Sequence, residues 1–397
     1  NPGSGKTVIR GGGGLFWNPQ FTVLYNGFVN AAPFSPQMTL YGVPFNDPYG
    51  SVLNPFPNSF APFDAPKDST FVLPLGQLGA FSQGFRPSFM ESLNFTVEHS
   101  VTPNTVARAT YVGNFGRHLS YNRDINFARY APGATTGNIQ KRRPYGDFGA
   151  IVMADVGANS SYNALQLGLE RRVSKGFSIE ANYTWSASID DVSEDTVPGQ
   201  SGSIPNPLSR LANRGRSEFD NPHRFVASYV WALPTLESMH PFARAILGGW
   251  ESSGIVTLRN GFPYSVRSGT DRSLSGIGAD RADIIGDPNI RGDRDKKDWL
   301  AHYFDPKAFR VAELGTFGNS PRALMRGPGS VNFDLSLVRN FNIMERAKLQ
   351  FRSEFFNAFN HANFSSPFAS ANNASRLGRI ESAADPRIIQ FALKLQF

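Results

Sequence analysis

The sequence predicts an all-β fold: an antiparallel transmembrane β-barrel, present in part, with about ten strands, short periplasmic turns and long extracellular loops. Three observations carry that expectation. The final stretch, Arg387–Phe397, alternates apolar and polar residues over a length that suits a tilted membrane strand, about 9–11 residues. No apolar run reaches the roughly 18 residues of a spanning helix, and 38 glycines with 28 prolines favour turns over long helices. Long and short connections alternate between the strand candidates.

In the final stretch Ile389, Phe391, Leu393, Leu395 and Phe397 share one strand face. Gln390, Ala392, Lys394 and Gln396 share the other. Lipid outside and a wet lumen inside produce that pattern, and so does a half-buried strand of a soluble sandwich. The rest of the chain decides between them.

The 397 residues contain no cysteine, which excludes a disulfide framework, thiol chemistry and cysteine-based zinc sites. Aromatic residues make up 13%, with 34 phenylalanines, and the mean hydropathy is −0.29. Alternating strands average out in hydropathy, so this value is compatible with a membrane barrel. The formal charge is +7, but the basic residues are scattered without a dense run, and no nucleic-acid partner is expected. The chain opens at Asn1 without a signal peptide, almost directly on a strand-like segment. It reads as the C-terminal part of a longer protein, with the export signal and any N-terminal domain upstream.

The elements follow in order. Thr7–Phe16 is a short strand candidate loosened by Gly11–Gly14. The opening N-P-G-S-G-K-T lacks the upstream glycine of a phosphate loop and leads into four glycines rather than a helix. Trp17–Pro87, rich in Pro, Asn, Phe and Gly, reads as a long loop with room for a small hairpin. Ser88–Ser100 and Thr105–Gly113 form a pair of strands around a tight turn. Asn114–Ser160 reads as irregular. Ser161–Arg172 and Phe177–Ile189 alternate most clearly, with Leu165, Leu167 and Leu169, then Ile179, Ala181, Tyr183 and Trp185, on one face. The Tyr183–Trp185 pair fits an interfacial aromatic girdle. Asp190–Pro222 is a polar loop, His223–Leu233 a strand, and Pro234–Gly248 a connection. Gly249–Val266 reads as one long strand with a bulge at Asn260-Gly261. Arg267–Gly329 is a loop too long for an ordinary compact domain. Ser330–Phe341 and Ala347–Asn357 flank a turn at Asn342–Arg346, and Ala358–Pro386 leads to the last strand.

If the last strand ends in the periplasm, every long connection falls outside the cell and every short one inside. Membrane barrels have that parity, and a sandwich has no reason to keep it. A closed sheet also satisfies the backbone where lipid offers no hydrogen-bond partner.

The run Tyr162–Asp191, YNALQLGLERRVSKGFSIEANYTWSASIDD, resembles the C-terminal barrel of TonB-dependent outer-membrane transporters of the Oar-like type. So do Asn221-Pro222-His223-Arg224-Phe225, Gly327-Pro328-Gly329 leading into Asn332-Phe333-Asp334, and RSEFFNAFNHANF at Arg352–Phe364. The resemblance covers nearly the whole chain. It implies that residues 1–397 belong to a barrel of about 22 strands, in the bacterial outer membrane. It also implies a plug and N-terminal regions outside this sequence, and coupling to the TonB complex through an N-terminal box. Phe391, Leu393, Leu395 and Phe397 match the terminal signal read by the outer-membrane assembly machinery in this class.

Chemical constellations are sparse. The histidines lack metal-ligand spacing, and His361 reads as a hydrogen-bonding loop residue. Gly286–Asp298 places Asp287, Asn289, Gly292, Asp293, Asp295 and Asp298 at calcium-loop positions. Arg291 occupies a ligand position and Arg294, Lys296 and Lys297 interleave, so a solvated charged loop fits better. No nucleophile motif frames the Ser, His and Asp residues, so no enzyme and no cofactor are expected. Glu98, Glu170, Glu180, Asp334, Lys348, Arg352, Glu354 and Lys394 fall on polar strand faces and are expected to line the lumen, where they either hold a plug or form an ordinary wet lining. Arg210, Arg214 and Arg216 either meet lipopolysaccharide phosphates or belong to a solvated loop. The expected function is energy-coupled uptake of a ligand, of unknown identity, captured by the outer loops. A surface-interaction or adhesion barrel without transport is the alternative, and a soluble glycan-binding β-protein a third class.

Overall fold

A backbone whose residues alternate in polarity satisfies both its hydrogen bonds and its side chains only in a sheet with two different environments. A computed structural model describes residues 5–19, 45–47, 73–76, 78–193, 203–234, 240, 242, 247–344 and 347–397. In chain order the strands are β1 (Thr7–Trp17), β2 (Leu78–Phe81), β3 (Phe89–Thr102), β4 (Thr105–Asp124), β5 (Ile151–Ser174), β6 (Phe177–Asp190), β7 (Gly215–Arg216) and β8 (His223–Ala232). There follow β9 (Trp250–Arg259), β10 (Pro263–Tyr264), β11 (Asp283–Ile284), the short helix α1 (Lys296–Ala301), β12 (Phe309–Arg310), β13 (Met325–Arg326), β14 (Ser330–Met344), β15 (Ala347–Phe356) and β16 (Ile388–Gln396). Among the described residues no helix is long and apolar enough to cross a membrane.

All ten expected strands are present and pair in the order β1-β3-β4-β5-β6-β8-β9-β14-β15-β16. Every neighbour in this path is antiparallel. Among the described residues β1 pairs only with β3 and β16 only with β15, so the sheet is an open part of a barrel. The antiparallel path puts Pro103-Asn104 and Lys175-Gly176 at one end and the long connections at the other. At the hairpin Lys175 (φ 53) and Gly176 (φ 76) are both left-handed, the geometry of a two-residue primed turn. The turn is therefore two residues long, not the four from Val173 to Gly176.

Several boundaries differ from expectation. Gly11–Gly14 do not loosen β1, because each glycine pairs with a residue of β3 between Ser92 and Phe95. Residues Gly5-Lys6-Thr7 run straight into that strand. The β4 strand continues past Gly113 to Asp124, and β5 starts at Ile151 rather than Ser161. Their ladder extends to Asp124↔Val152, interrupted by register shifts between Gly116 and Ser120 beside His118 at φ 52. This bulge lets the strand continue while its side-chain alternation breaks. The tract from Trp250 does not run to Val266. It stops at Arg259, and Pro263–Tyr264 pairs instead with Met325–Arg326. A Cβ on Gly261 would lie 1.9 Å from the Gly327 carbonyl oxygen, so the Asn-Gly is a close backbone crossing and not a bulge. Most of the 18–87 tract, most of the Pro234–Gly248 connection, and Glu345-Arg346 of the turn lie outside the described residues. Within the first of these, β2 pairs in parallel with β5.

The buried core sits among the long connections. Val266, Ala282, Phe304, Ala308, Phe309, Met325 and Leu377 form one cluster, drawn from 260–329 and 357–387. Tyr121 and Ala158, in the extended ends of β4 and β5, form a second with Ile204 of the connection after β6.

Candidate membrane face and loop cap

The register carries one set of residues across the whole sheet. Ile9, Val97, Ala109, Leu167, Tyr183, Phe225, Leu258 and Val331 are successive cross-strand partners. On the same face β14, β15 and β16 bring Leu337, Phe351 and Leu393, and Phe391 opposes Ser353. This apolar face is open: Leu165, Leu167, Leu169, Trp185, Phe391, Leu393 and Leu395 are all exposed. Phe397, at the end, is 94% exposed. Aromatic residues collect at both ends of the face. Phe177 packs edge-on to Trp231, and Trp250 to Phe351, toward the turns. Trp17 packs on Phe89, and Tyr183 stacks on His223 with its hydroxyl 2.7 Å from Nδ1, toward the loops. From Phe177 to Trp185 a strand rises about 26 Å at 3.3 Å per residue, which at a tilt of about 40° covers about 20 Å of an apolar membrane band about 25 Å tall.

The eight residues expected on the lumen side all lie on the opposite, polar face, alternating with the apolar set along their own strands. They do not form a single cluster. Glu98 pairs with Arg10 at 2.7 Å. Glu170 and Glu180 stand directly opposite each other, Glu170 with Arg172 at 3.8 Å and Glu180 accepting from Asn182. Asp334 accepts from the backbone of Asn357 and from the Asn332 amide. Arg352 pairs with Glu354 at 3.4 Å. Lys348 opposes Gln396, and Lys394 opposes Gln350. Between Arg10, Thr96, Arg108, Thr110, Gln166 and Asn182 the polar face encloses a shallow pocket of about 340 Å³.

At the loop end charged side chains go inward. Arg322 Nη1 meets Asp190 Oδ1 at 2.5 Å, with both side chains almost fully buried, and Nη2 donates to Ser193. Arg326 meets Asp220 at 2.5 Å and also donates to the Gly261 carbonyl. Asp124 pairs with Arg143 and accepts from the backbone of Asn126 and Ile151. Arg281 is buried and donates only to neutral acceptors: the carbonyls of Ser320 and Ala212 and the Asn213 side chain. Burial, with Arg322 and Arg267 nearby, lowers its pKa. The contacts of Arg281, Arg322 and Arg326 tie 260–329 to 190–222, while Asp124 and Arg143 join the ends of the 125–150 connection. Sequence reasoning missed them, since Arg322 and Asp190 are 132 residues apart.

Arg210 and Arg214 are engaged within the chain. Both pair with Asp191, whose side chain is fully buried, Arg214 at 3.2 Å. A buried carboxylate requires such partners. Arg216 is exposed in β7. The carboxylates of the calcium-like stretch are engaged separately. Asp287 accepts twice from Asn289 and pairs with Arg291; Asp295 caps α1; Asp298 meets His302 at 2.9 Å. Among the described residues no group of three potential metal ligands converges. The Asn289 hydrogen bonds hold the Asp287 carboxyl below the usual range. Asp280 behaves oppositely: burial, with Asp271 close by, raises its pKa although Ser273 donates to it through both N and Oγ.

The sequence segments that stood out have structural roles here. Asn357 and Asn360 both adopt positive φ, and Asn357 exchanges side-chain hydrogen bonds with the His361 backbone. Asn363 closes both backbone groups of Val331, sealing the start of β14. Asn221 donates to the Asn260 carbonyl, and Gly327 supplies the surface that Gly261 crosses.

A family model described as Outer membrane beta barrel domain matches residues 1–390. None of the curated proteins matches the chain. Among solved structures it is similar to the outer membrane transporter YddB from Escherichia coli, at 11% identity and a TM-score of 0.42, covering 81% of this chain and 34% of that one. It is also similar to the ferric-catecholate import receptor Fiu from E. coli K12 in its closed form, at 9% identity and 0.40, covering 98% and 32%. The siderophore receptor PiuA from Acinetobacter baumannii matches at 11% identity and 0.41, covering 80% and 30%. The chain spans about a third of the length of these structures.

Proposed function

This chain belongs to the outer membrane beta barrel domain family, and from that premise we propose that it is the barrel part of a TonB-dependent outer-membrane transporter whose long loops capture a ligand for energy-coupled uptake. The loop cap carries this reading: the long connections share one end of the sheet and are locked together through buried pairs such as Arg322–Asp190 and Arg326–Asp220. Buried charges carry a desolvation cost that only well-placed partners offset, and here those partners come from separate connections, so the loops are held in one arrangement. In this reading the apolar face meets lipid, the short turns lie in the periplasm, and the polar face lines the lumen. Glu98, Glu170, Glu180, Asp334, Lys348, Arg352, Glu354 and Lys394 then offer charges to a plug, and the opposed Glu170 and Glu180 favour a basic partner. The exposed Phe391, Leu393, Leu395 and Phe397 of the last strand suit recognition by the assembly machinery. Binding and passage require no covalent step.

The test compares solute uptake from defined medium in cells lacking this protein, cells lacking TonB, and cells lacking both. A solute whose uptake falls equally in all three supports the proposal. A solute lost with this protein but retained without TonB contradicts the energy coupling, and no solute lost with this protein contradicts transport.

A further inference from the structure

The apolar face is not uniform. Along one ladder His99, Ala107, Leu169, Ala181 and Ala227 follow one another, and along the next Val97, Ala109, Leu167, Tyr183 and Phe225. The alanines leave a trough of about 520 Å³ between the leucines of β5 and the aromatic residues of β6 and β8. Arg171 stands on the same face as Leu169, two residues nearer the short turn, opposite Ile179 and with its guanidinium over the Phe177 ring. The contact with Phe177 turns the guanidinium toward the short turn, at least two residues of strand, about 6.6 Å, beyond the trough's lining, where the phosphate of a lipid whose chain enters the trough would lie. Among the described residues Arg171 has no carboxylate within ion-pair distance. Lys175 is exposed in the adjoining turn. Between the short turns and the bulge at Gly116–Ser120, the apolar face of the paired segments carries a single carboxylate, Glu91, which lies toward the loops and is already paired with Arg117 at 3.2 Å.

We propose that this trough, with Arg171 at its mouth, docks an anionic phospholipid of the leaflet beside the short turns, one acyl chain lying over Ala107, Ala109 and Ala181 and the phosphate pairing with Arg171. The inference rests on the assignment of this face to lipid. A second copy of the chain fits the site less well, since a symmetric contact through this patch would bring Arg171 and Lys175 against their own equivalents. A phosphate meets the uncompensated guanidinium by a charge-assisted hydrogen bond, and an acyl chain fills a groove that no side chain of the sheet occupies.

The whole protein, purified in mild detergent, is offered phosphatidylglycerol and phosphatidylethanolamine in equal amounts, and retained lipid is counted by native mass spectrometry. The wild type is expected to keep phosphatidylglycerol about fivefold over phosphatidylethanolamine, the effect of one well-placed cation. Arg171→Gln should abolish the preference and Arg171→Lys should keep it. Arg172→Gln, on the opposite face, should leave it unchanged, and Ala181→Phe should reduce retention of both lipids. Equal retention by the wild type, a preference that survives Arg171→Gln, or an equal loss in Arg172→Gln overturns the site. Folding is read separately from the boiling-dependent gel shift. A wild type with no shift overturns the barrel reading beneath the proposal, whereas one that shifts without discriminating between lipids overturns the proposal alone.

Discussion

Arg322→Ala should open the loop cap without unfolding the sheet. The guanidinium is almost completely buried and contacts Asp190 Oδ1 at 2.5 Å, the Asp190 carbonyl, the Asn213 carbonyl and Ser193. Its removal leaves the Asp190 carboxylate buried without its cation. Breaking a buried pair in this way costs about 3–5 kcal/mol. At 1.4 kcal/mol per decade, local opening of 260–329 against 191–222 should become about two to nearly four orders of magnitude more frequent. Hydrogen exchange of the whole protein in detergent measures this directly, comparing amides near Ser217 and Ser320 with those in the β14–β15 ladder. Protection should fall in the cap and stay constant in the ladder. Replacing both partners, as Arg322→Met with Asp190→Leu, should recover most of the loss, because an apolar pair avoids the desolvation penalty. Unchanged cap protection in Arg322→Ala would show that the pair does not hold the loops. An equal loss in the ladder would show that cap and sheet are one cooperative unit.

Three further outcomes follow from the same geometry. Leu167→Arg, in the middle of the apolar face, should cost about 2–4 kcal/mol of folding stability in bilayers, while Gln166→Arg next to it should fall within about 0.5 kcal/mol; equal effects in a refolding titration would contradict the assignment of faces. Gly261→Ala places a Cβ 1.9 Å from the Gly327 carbonyl, and should destabilise the cap by about 1–3 kcal/mol or more through overpacking, read as faster proteolysis of the loops with an intact gel shift. Because the Asp280 pKa is raised by burial, protonation favours the folded form of 268–281: that contribution is complete below the unfolded value and is lost as pH rises through the folded one. Local exchange protection, corrected for intrinsic rates, should therefore decline with rising pH through that window, and Asp280→Asn should remove the dependence; a dependence of opposite sign would refute the assignment.

The sheet was legible in the sequence because one face is bare. Leu165, Leu167 and Leu169 are exposed on that face, and in the proposed reading lipid demands their apolarity, so the period of two survives wherever that demand applies. Beyond the bulge at Gly116–Ser120 the demand ceases. The β4 strand continues through Ser120, Asn122 and Asp124, so its period dissolves although the ladder persists. The polar face was legible as a face, but not the local pairings on it, since Arg10–Glu98 joins residues of two strands separated by a long connection. The cap was illegible for a related reason. Its stabilising contacts join distant loops, and a single aspartate such as Asp191 looks the same in sequence whether it is solvated or buried under Arg210 and Arg214. Asn260-Gly261 carried a true signal, a position demanding glycine, but the cause is a close crossing of backbones and not a strand irregularity.

If one face of this sheet meets lipid and the other meets water, reactivity along β5 must alternate residue by residue. These 397 residues contain no cysteine, so once any cysteine elsewhere in the whole protein is replaced by serine, single cysteines can be placed in turn at residues 165 to 169 and read in outer membranes. Labelling with a membrane-impermeant maleimide, from a side where water reaches the lumen, reads each position. Residues 166 and 168 should react and 165, 167 and 169 should be protected, with the protected set reacting instead with a lipid-soluble reagent. Uniform labelling, or the opposite alternation, would contradict it.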